Sequence, residues 1–164
     1  MKTNNVTFDD LSASVLAVPP LARDANLELS QVENKTLIRH LEAGGITTLL
    51  YGGNANFYNV PISEYASTLE FLAEAALKDT WIVPSVGPDY GRMMDQAEML
   101  RHMSFPAAMV LPHIFPVTQR GVEIGLSKFA QRLGRPIILY LKSENYLSPK
   151  AVHRLVTDGL VCGI

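Results

Sequence analysis

Short apolar runs alternate along the chain with longer stretches in which apolar residues recur every three or four positions. Six runs rich in Val, Ile and Leu are bounded by Pro, Gly or Asn. They predict β-strands at residues 14–18, 46–50, 81–86, 107–111, 136–140 and 160–164. Their apolar positions are consecutive, which is typical of strands that are buried on both faces of a parallel sheet. Pro84, within the third run, predicts a bulge or a strand end.

The stretches between these runs predict helices. Their apolar positions share one helical face in four sets: Leu37 and Leu41; Tyr65, Leu69, Leu72 and Ala76; Met93, Ala97 and Leu100; Val122, Leu126, Phe129 and Leu133. The third of these helices is predicted at residues 92–103. Ser30, Ser63 and Ser148 are the predicted N-caps, with Glu33 completing a capping box and Pro149 following Ser148, whereas Gly44, Gly45 and Gly134 end helices.

A regular alternation of parallel strands and helices fits either an open doubly wound sheet or a (β/α)8 barrel. The chain has no G-x-G-x-x-G turn and no Walker A motif, which disfavours the nucleotide-binding sheet. Long polar loops follow strands one, two, four and five, as in barrels whose active sites lie in these loops. Because a barrel takes about 250 residues, we expect residues 1–164 to form a single incomplete TIM-barrel domain that ends on strand six.

Composition narrows the classes of partner. A net charge of -2 gives no basic face for nucleic acid. No apolar run reaches the roughly 20 residues that cross a bilayer, and no polybasic segment indicates a membrane surface. Cys162 is the single cysteine, so no internal disulfide can form, and we expect a reducing, cytoplasmic setting.

The loop after the second strand, with Gly52, Gly53 and Asn54, is the first candidate site. Glycines there allow backbone N–H groups to approach an anion, and an asparagine adds an amide donor, which suits a carboxylate or phosphate. The loop at residues 52–56 is also expected to need unusual backbone angles. A tight turn before a helix, without any ligand, explains the same residues.

Tyr140 and His113 are the other candidates, each at the carboxyl end of a predicted strand. The Tyr140 hydroxyl could act as an acid, a base or a proton shuttle, or the ring could simply cap the barrel interior. His113 either titrates in a pocket or lies on a surface loop.

The remaining histidines and the cysteine carry no predicted chemistry. His40, His102 and His153 lie in or near predicted helices without the spacing of metal ligands, so we expect surface residues and no metal. Cys162 is expected to be a packed thiol.

Three loops, taken in order, resemble motifs of the dihydrodipicolinate synthase / N-acetylneuraminate lyase family. The family has G-T-T-G-E after strand two, where this chain has G-G-N-A-N at residues 52–56. The family has P-Y-Y-x-x-x-[ST]-Q-x-G after strand four, where residues 112–121 are P-H-I-F-P-V-T-Q-R-G. The family's Y-N-x-P after strand five corresponds to Tyr140 followed by L-K-S, and its G-[IV]-K on strand six corresponds to Gly163 and Ile164.

This resemblance implies a barrel enzyme that forms a Schiff base between a lysine and pyruvate or a related 2-oxo acid. The lysine is expected directly after Ile164. Tyr140 would relay protons, and Gly52, Gly53, Asn54 and His113 would contact the substrate. No metal or organic cofactor is implied, and a homo-oligomer, dimer or tetramer, is expected.

Departures from the motifs imply a changed reaction. Gly53 and Asn54 replace two threonines, Ile114 replaces the second tyrosine of P-Y-Y, and Asn145, with Lys142 nearby, stands where the synthases have a substrate-binding arginine. We therefore expect an aldolase, lyase or dehydratase for another 2-oxo acid. The alternative is a catalytically inactive barrel that binds a small 2-oxo or sugar acid. A phosphate-binding barrel is a third interpretation, although its site usually follows strands seven and eight.

Overall fold

The computed structural model describes residues 1–13, 15–113 and 116–164. Strands and helices alternate after a short first helix. The strands are β1 (Leu16–Ala17), β2 (Thr48–Tyr51), β3 (Trp81–Val86), β4 (Met109–Val110), β5 (Ile137–Leu139) and β6 (Val161–Gly163). The helices are α1 (Phe8–Ala13), α2 (Gln31–Ala43), α3 (Ile62–Ala75), α4 (Tyr90–Arg101), α5 (Gln119–Leu133) and α6 (Pro149–Thr157), and a 3₁₀ turn spans Phe57–Asn59.

The described strands form one sheet in which every neighbouring pair is parallel and the order follows the chain, from β1 to β6. A doubly wound sheet reverses its strand order at a switch point, and this sheet contains no such reversal. Sequential parallel order with a helix after each strand is the arrangement of a (β/α)8 barrel. The predicted fold class is therefore confirmed as a partial TIM barrel.

Pro84 neither ends β3 nor forms a bulge, so that prediction is wrong. The Trp81 N–H donates to the O of Thr47, the residue just before β2, and alternation then directs the N–H positions of residues 82, 84 and 86 towards β4. The recorded β3–β4 register begins only at Ser85. The missing N–H of Pro84 consequently falls where β3 has no ladder bond to donate, which makes proline tolerable inside a central strand.

Two of the three predicted helix caps are confirmed. The Ser30 hydroxyl accepts from the Glu33 N–H and the Ser148 hydroxyl from the Ala151 N–H. Ser63 is not a cap, because α3 begins at Ile62, two residues earlier than a Ser63 cap predicts, and its N-cap is Pro61. Proline fixes its own φ near the value found there, and so presets the helix start without a side-chain hydrogen bond.

Helix boundaries differ from the sequence prediction at both ends of the third predicted helix. α4 begins at Tyr90 and ends at Arg101, two residues before each predicted boundary. α1 was not predicted, because it lacks a long apolar period. Its start is nevertheless stabilised by reciprocal bonds: the Thr7 N–H donates to the Asp10 carboxylate, and the Asp10 N–H donates to the Thr7 hydroxyl.

The core lies between the sheet and the helices and inside the curve of the sheet. The predicted faces of α3, α4 and α5 are buried as expected. On α2 the buried positions are Ile38 and Asn34, whereas Leu37 and Leu41 are half-buried, so the predicted stripe is displaced by one residue. The Asn34 amide explains the shift, since it bonds both the N–H and the carbonyl of Ala22 and thereby holds the segment after β1 against α2.

Candidate functional site

The predicted site residues follow three strands at the same edge of the sheet. Gly52, Gly53 and Asn54 follow β2, His113 follows β4 after two residues, and Tyr140 follows β5 directly. Because all strands are parallel, their carboxyl ends meet at one edge, which is where barrel enzymes bind substrates. The topology thus brings these residues to one end of the barrel. In the described part of the chain, no hydrogen bond joins one of these three groups to another.

The loop after β2 is one tight helical turn. The Asn56 N–H donates to Gly53 O (3.0 Å) and the Phe57 N–H donates to Gly52 O (3.3 Å). The prediction that this loop needs unusual backbone angles is confirmed, and the left-handed residue is Asn56, at φ 57°, rather than a glycine. Asparagine adopts this conformation more readily than most residues, which removes the need for a glycine there.

Gly52 lies close to the end of the Met109 side chain. A Cβ placed on Gly52 would lie 2.8 Å from the Met109 Cε of β4, so the missing side chain makes room for Met109. The next two residues, Gly53 and Asn54, are exposed, and within the described ranges their backbone N–H groups donate to no acceptor. Two adjacent free donors at the carboxyl end of β2 can bind a carboxylate.

His113 is buried at 9% exposure, so the surface-loop interpretation is wrong. Its Nδ1 bonds the Pro88 carbonyl oxygen, which can only accept, so Nδ1 carries the ring proton. Burial lowers the pKa of the His113 imidazole, although the Pro88 bond and the Asp89 carboxylate oppose this shift. The ring is therefore neutral at pH 7, with Nε2 as a buried acceptor that has no partner among the described residues.

Tyr146 was not predicted as part of the site. Its hydroxyl oxygen accepts the backbone N–H of His113 at 3.1 Å, and the residue is buried. Burial raises the pKa of the Tyr146 hydroxyl, and the bond from His113 opposes this. The contact joins the loop after β5 to the loop after β4 across 33 residues of sequence, and no local pattern could have indicated it.

Tyr140 is 38% exposed, and its hydroxyl makes no hydrogen bond in the part of the chain that the structure describes. Lys142 and Asn145, farther along the same loop, are also exposed. Ile114, which replaces the second tyrosine of the family's P-Y-Y motif, lies outside the described residues. A tyrosine hydroxyl that is accessible and has no hydrogen-bond partner among the described residues can exchange protons with a bound molecule.

A cavity of about 950 Å³ opens beside His113, on the side of α5. Its wall comes from the loop after β3, the loop after β4 and one face of α5, and it includes Pro88, Tyr90, His113, Val117, Ile124 and Lys128. Of the predicted site residues, only His113 lines it. The cavity is thus separate from the group formed by the β2 loop and Tyr140.

The described ranges contain neither a metal-binding cluster nor a membrane-spanning helix. No three His, Cys, Asp or Glu side chains converge there in a way that could hold a metal ion. None of the described helices has both the length and the apolarity to span a bilayer. Cys162 is buried as predicted, and burial raises the pKa of its thiol to about 11.

Solved structures with the same fold include three of known type. One is a dihydrodipicolinate synthase from Bacillus clausii, with 18% identity and a TM-score of 0.74; the match covers 85% of this chain and 47% of that one. Another is the E. coli K12 prophage protein YagE of the dihydrodipicolinic acid synthase family in complex with pyruvate, with 14% identity and a TM-score of 0.80, covering 88% of this chain and 51% of that one. The third is a 2-keto 3-deoxygluconate aldolase from Picrophilus torridus, with 17% identity and a TM-score of 0.78, covering 88% of this chain and 54% of that one. The chain spans about half the length of these structures. No family model matches the sequence, and no curated protein is a detectable relative.

These similarities confirm the resemblance at the level of the fold. Because the identities are below 20%, these structures show the shared fold and do not assign roles to the site residues of this chain.

Proposed function

We propose that this chain is part of a lyase or aldolase of the dihydrodipicolinate synthase / N-acetylneuraminate lyase type. It would act through a lysine Schiff base on pyruvate or a related 2-oxo acid. The fold shared with a pyruvate-bound protein and with an aldolase supports the general class. The register of β5 and β6 supports the specific chemistry.

In that register Ile138 pairs with Gly163. A Cβ on Gly163 would lie 3.4 Å from the Ile138 Cγ1, so the two positions share one face of the sheet. If the pairing of β5 and β6 continued for two more residues, the residue after Ile164 would lie opposite Tyr140, on the same face and one strand spacing, about 4.8 Å, away. A lysine at that position would extend its amine beside the Tyr140 hydroxyl. This register is the observation that carries the proposal.

The reaction follows from that arrangement. The lysine amine adds to C2 of the 2-oxo acid, and the former carbonyl oxygen leaves as water, which gives an iminium ion. The C3–C4 bond then breaks, its electron pair enters the iminium as an enamine, and the C4 fragment leaves as an aldehyde. Tyr140 would donate a proton to the departing oxygen and accept one from the C4 hydroxyl.

The free N–H groups of Gly53 and Asn54 would hold the C1 carboxylate. Donors that are already fixed in a turn pay no reorganisation cost when the anion arrives, so they orient C2 towards the amine. Because these residues are not threonines, the loop supplies backbone donors without hydroxyls, and proton transfer would depend on Tyr140. This favours a substrate other than that of a true dihydrodipicolinate synthase.

Borohydride trapping tests the proposal. The protein is incubated with pyruvate, reduced, and analysed by intact mass and peptide mapping. We expect one covalent increment on the residue directly after Ile164. Arginine at that position should abolish the increment while the melting temperature stays unchanged.

The absence of an increment with pyruvate and with a panel of other 2-oxo acids would overturn the Schiff-base mechanism. Binding of the same acids by calorimetry, without trapping, would then identify the inactive binding barrel.

A further inference from the structure

The loop between β5 and α6, residues 140–148, consists of two unlike halves. Residues 140–144 are exposed, and among the described residues their side chains make no hydrogen bond. Residues 145–148 are fixed: Tyr146 and Leu147 are buried, and Ser148 caps α6. The exposed half begins with Tyr140, whose position therefore depends on strand β5 at one end and on the fixed half at the other.

Two hydrogen bonds attach the fixed half to the loop after β4 and to the first residue of α5. The Tyr146 hydroxyl oxygen accepts the His113 N–H at 3.1 Å, and the Gln119 Nε2 donates to the Asn145 carbonyl oxygen at 2.6 Å. Asn145, whose carbonyl accepts the second of these bonds, has φ 62°, a left-handed conformation that asparagine adopts more readily than most residues. These flanking bonds hold Asn145 in that turn.

His113 extends the connection to a third loop. Its backbone N–H binds Tyr146 and its ring Nδ1 binds the Pro88 carbonyl in the loop after β3. One buried residue thus joins the loops after β3, β4 and β5. Neither of its hydrogen-bonding nitrogens is left for a substrate, and Nε2 is enclosed.

We propose that Tyr146, acting through His113, is a positioning residue that sets the orientation of Tyr140. The inference rests on the proposed function, because it assigns Tyr140 the proton transfer. It also changes the role of His113, from the substrate contact that the motif comparison implies to part of this loop connection.

The test uses exchange of the pyruvate methyl protons in D2O, followed by NMR, since enamine formation exchanges them without any second substrate. Tyr146→Phe removes the oxygen that accepts the His113 N–H and keeps the ring. We expect kcat to fall about tenfold, since small displacements of a reacting group are costly, with KM for pyruvate changed less than about twofold. Tyr90→Phe is the matched control: Tyr90 is exposed, its hydroxyl has no described hydrogen bond, and wild-type exchange is expected.

A double-mutant cycle identifies the route of the effect. If Tyr146 acts through Tyr140, then Tyr146→Phe should lower kcat in the wild type and have no further effect in Tyr140→Phe. Equal effects in both backgrounds, or wild-type kcat for Tyr146→Phe, would overturn the positioning role. If Tyr146→Phe does not fold, Gln119→Ala takes its place. Gln119 is exposed, its replacement removes the hydrogen bond to the Asn145 carbonyl, and the kcat of this variant is measured in the wild-type and Tyr140→Phe backgrounds.

Failure of the proposed function has a different signature. Wild-type protein that exchanges no 2-oxo acid, or Tyr140→Phe with unchanged kcat, would remove the role of Tyr140 itself. Loss of activity in Tyr140→Phe together with a silent Tyr146→Phe would leave the proposed function intact and exclude only the positioning role.

Discussion

Replacement of Arg135 by alanine should destabilise the protein more than loss of any exposed ion pair. Arg135 lies between α5 and β5, and its guanidinium reaches the end of α4. Nη1 donates to Phe105 O, and Nη2 donates to Met103 O (2.9 Å), Leu100 O (3.2 Å) and Arg101 O (3.4 Å). The last carbonyls of a helix have no partner within the helix, and a cation there also stabilises the helix dipole.

The magnitude follows from the two shortest bonds, to Phe105 and Met103. A hydrogen bond to a charged group contributes about 1.5–3 kcal/mol. Water can replace part of this once the half-buried side chain is removed, so we expect Arg135→Ala to lower the free energy of unfolding by about 3 kcal/mol. For a chain of this size, about 3 kcal/mol corresponds to a fall of roughly 6–12 °C in melting temperature. Arg135→Lys keeps the charge without the planar fork and should lose about half as much.

Arg132, three residues earlier, provides the control. It forms an ion pair with Glu98 at 3.1 Å in which both side chains are about half exposed, and such pairs contribute about 0–1 kcal/mol. Urea unfolding followed by circular dichroism measures all three variants. Equal losses for Arg135→Ala and Arg132→Ala, or a loss below about 1 kcal/mol for Arg135→Ala, would refute the assignment of Arg135 as the cap of α4.

Three further predictions concern backbone strain and protonation. Leu27 is 73% exposed and has φ 65°, a conformation that strains a leucine but not a glycine. Leu27→Gly should therefore raise the free energy of unfolding, measured in urea, by about 0.5–1 kcal/mol. A free energy of unfolding below that of the wild type would contradict the strain. Gly134 ends α5 at φ 75° with open space around its Cβ position, so Gly134→Ala should cost about 1 kcal/mol through the backbone alone, and an unchanged melting temperature would contradict this. The lowered pKa of His113 means that the unfolded chain binds more protons, so stability should fall as pH drops below about 6.5. His113→Asn should reduce that slope in melting curves recorded from pH 7 to pH 5, whereas an unchanged slope would argue against the assignment.

Local signals in the sequence determined the secondary structure and most of the fold class. The apolar runs predict six strands, and the residues that the structure describes form six parallel strands, because continuous burial on both faces is a property of each run by itself. Ser30, Ser148 and Gly134 mark helix ends correctly, because a cap is made by atoms within a few residues of each other.

Predictions failed where a distant residue decides a local feature. Pro84 is accommodated because of where the β3–β4 pairing begins. Asn34 displaces the buried face of α2 because it binds Ala22. In each case the contacting residue is far away in the sequence and is brought close by strand pairing or by the path of a loop. A short stretch of sequence therefore does not reveal the contact.

The same division holds for the candidate site. The sequence by itself determined which residues follow the carboxyl ends of the strands, and therefore that Gly53, Asn54 and Tyr140 lie at one end of the barrel. Only the tertiary structure decided that His113 is buried, that its N–H and ring are bound by Tyr146 and Pro88, and that Ile138 pairs with Gly163. The burial of a residue and the register of a strand both depend on contacts with several other strands and loops, so they are defined only once the chain has folded.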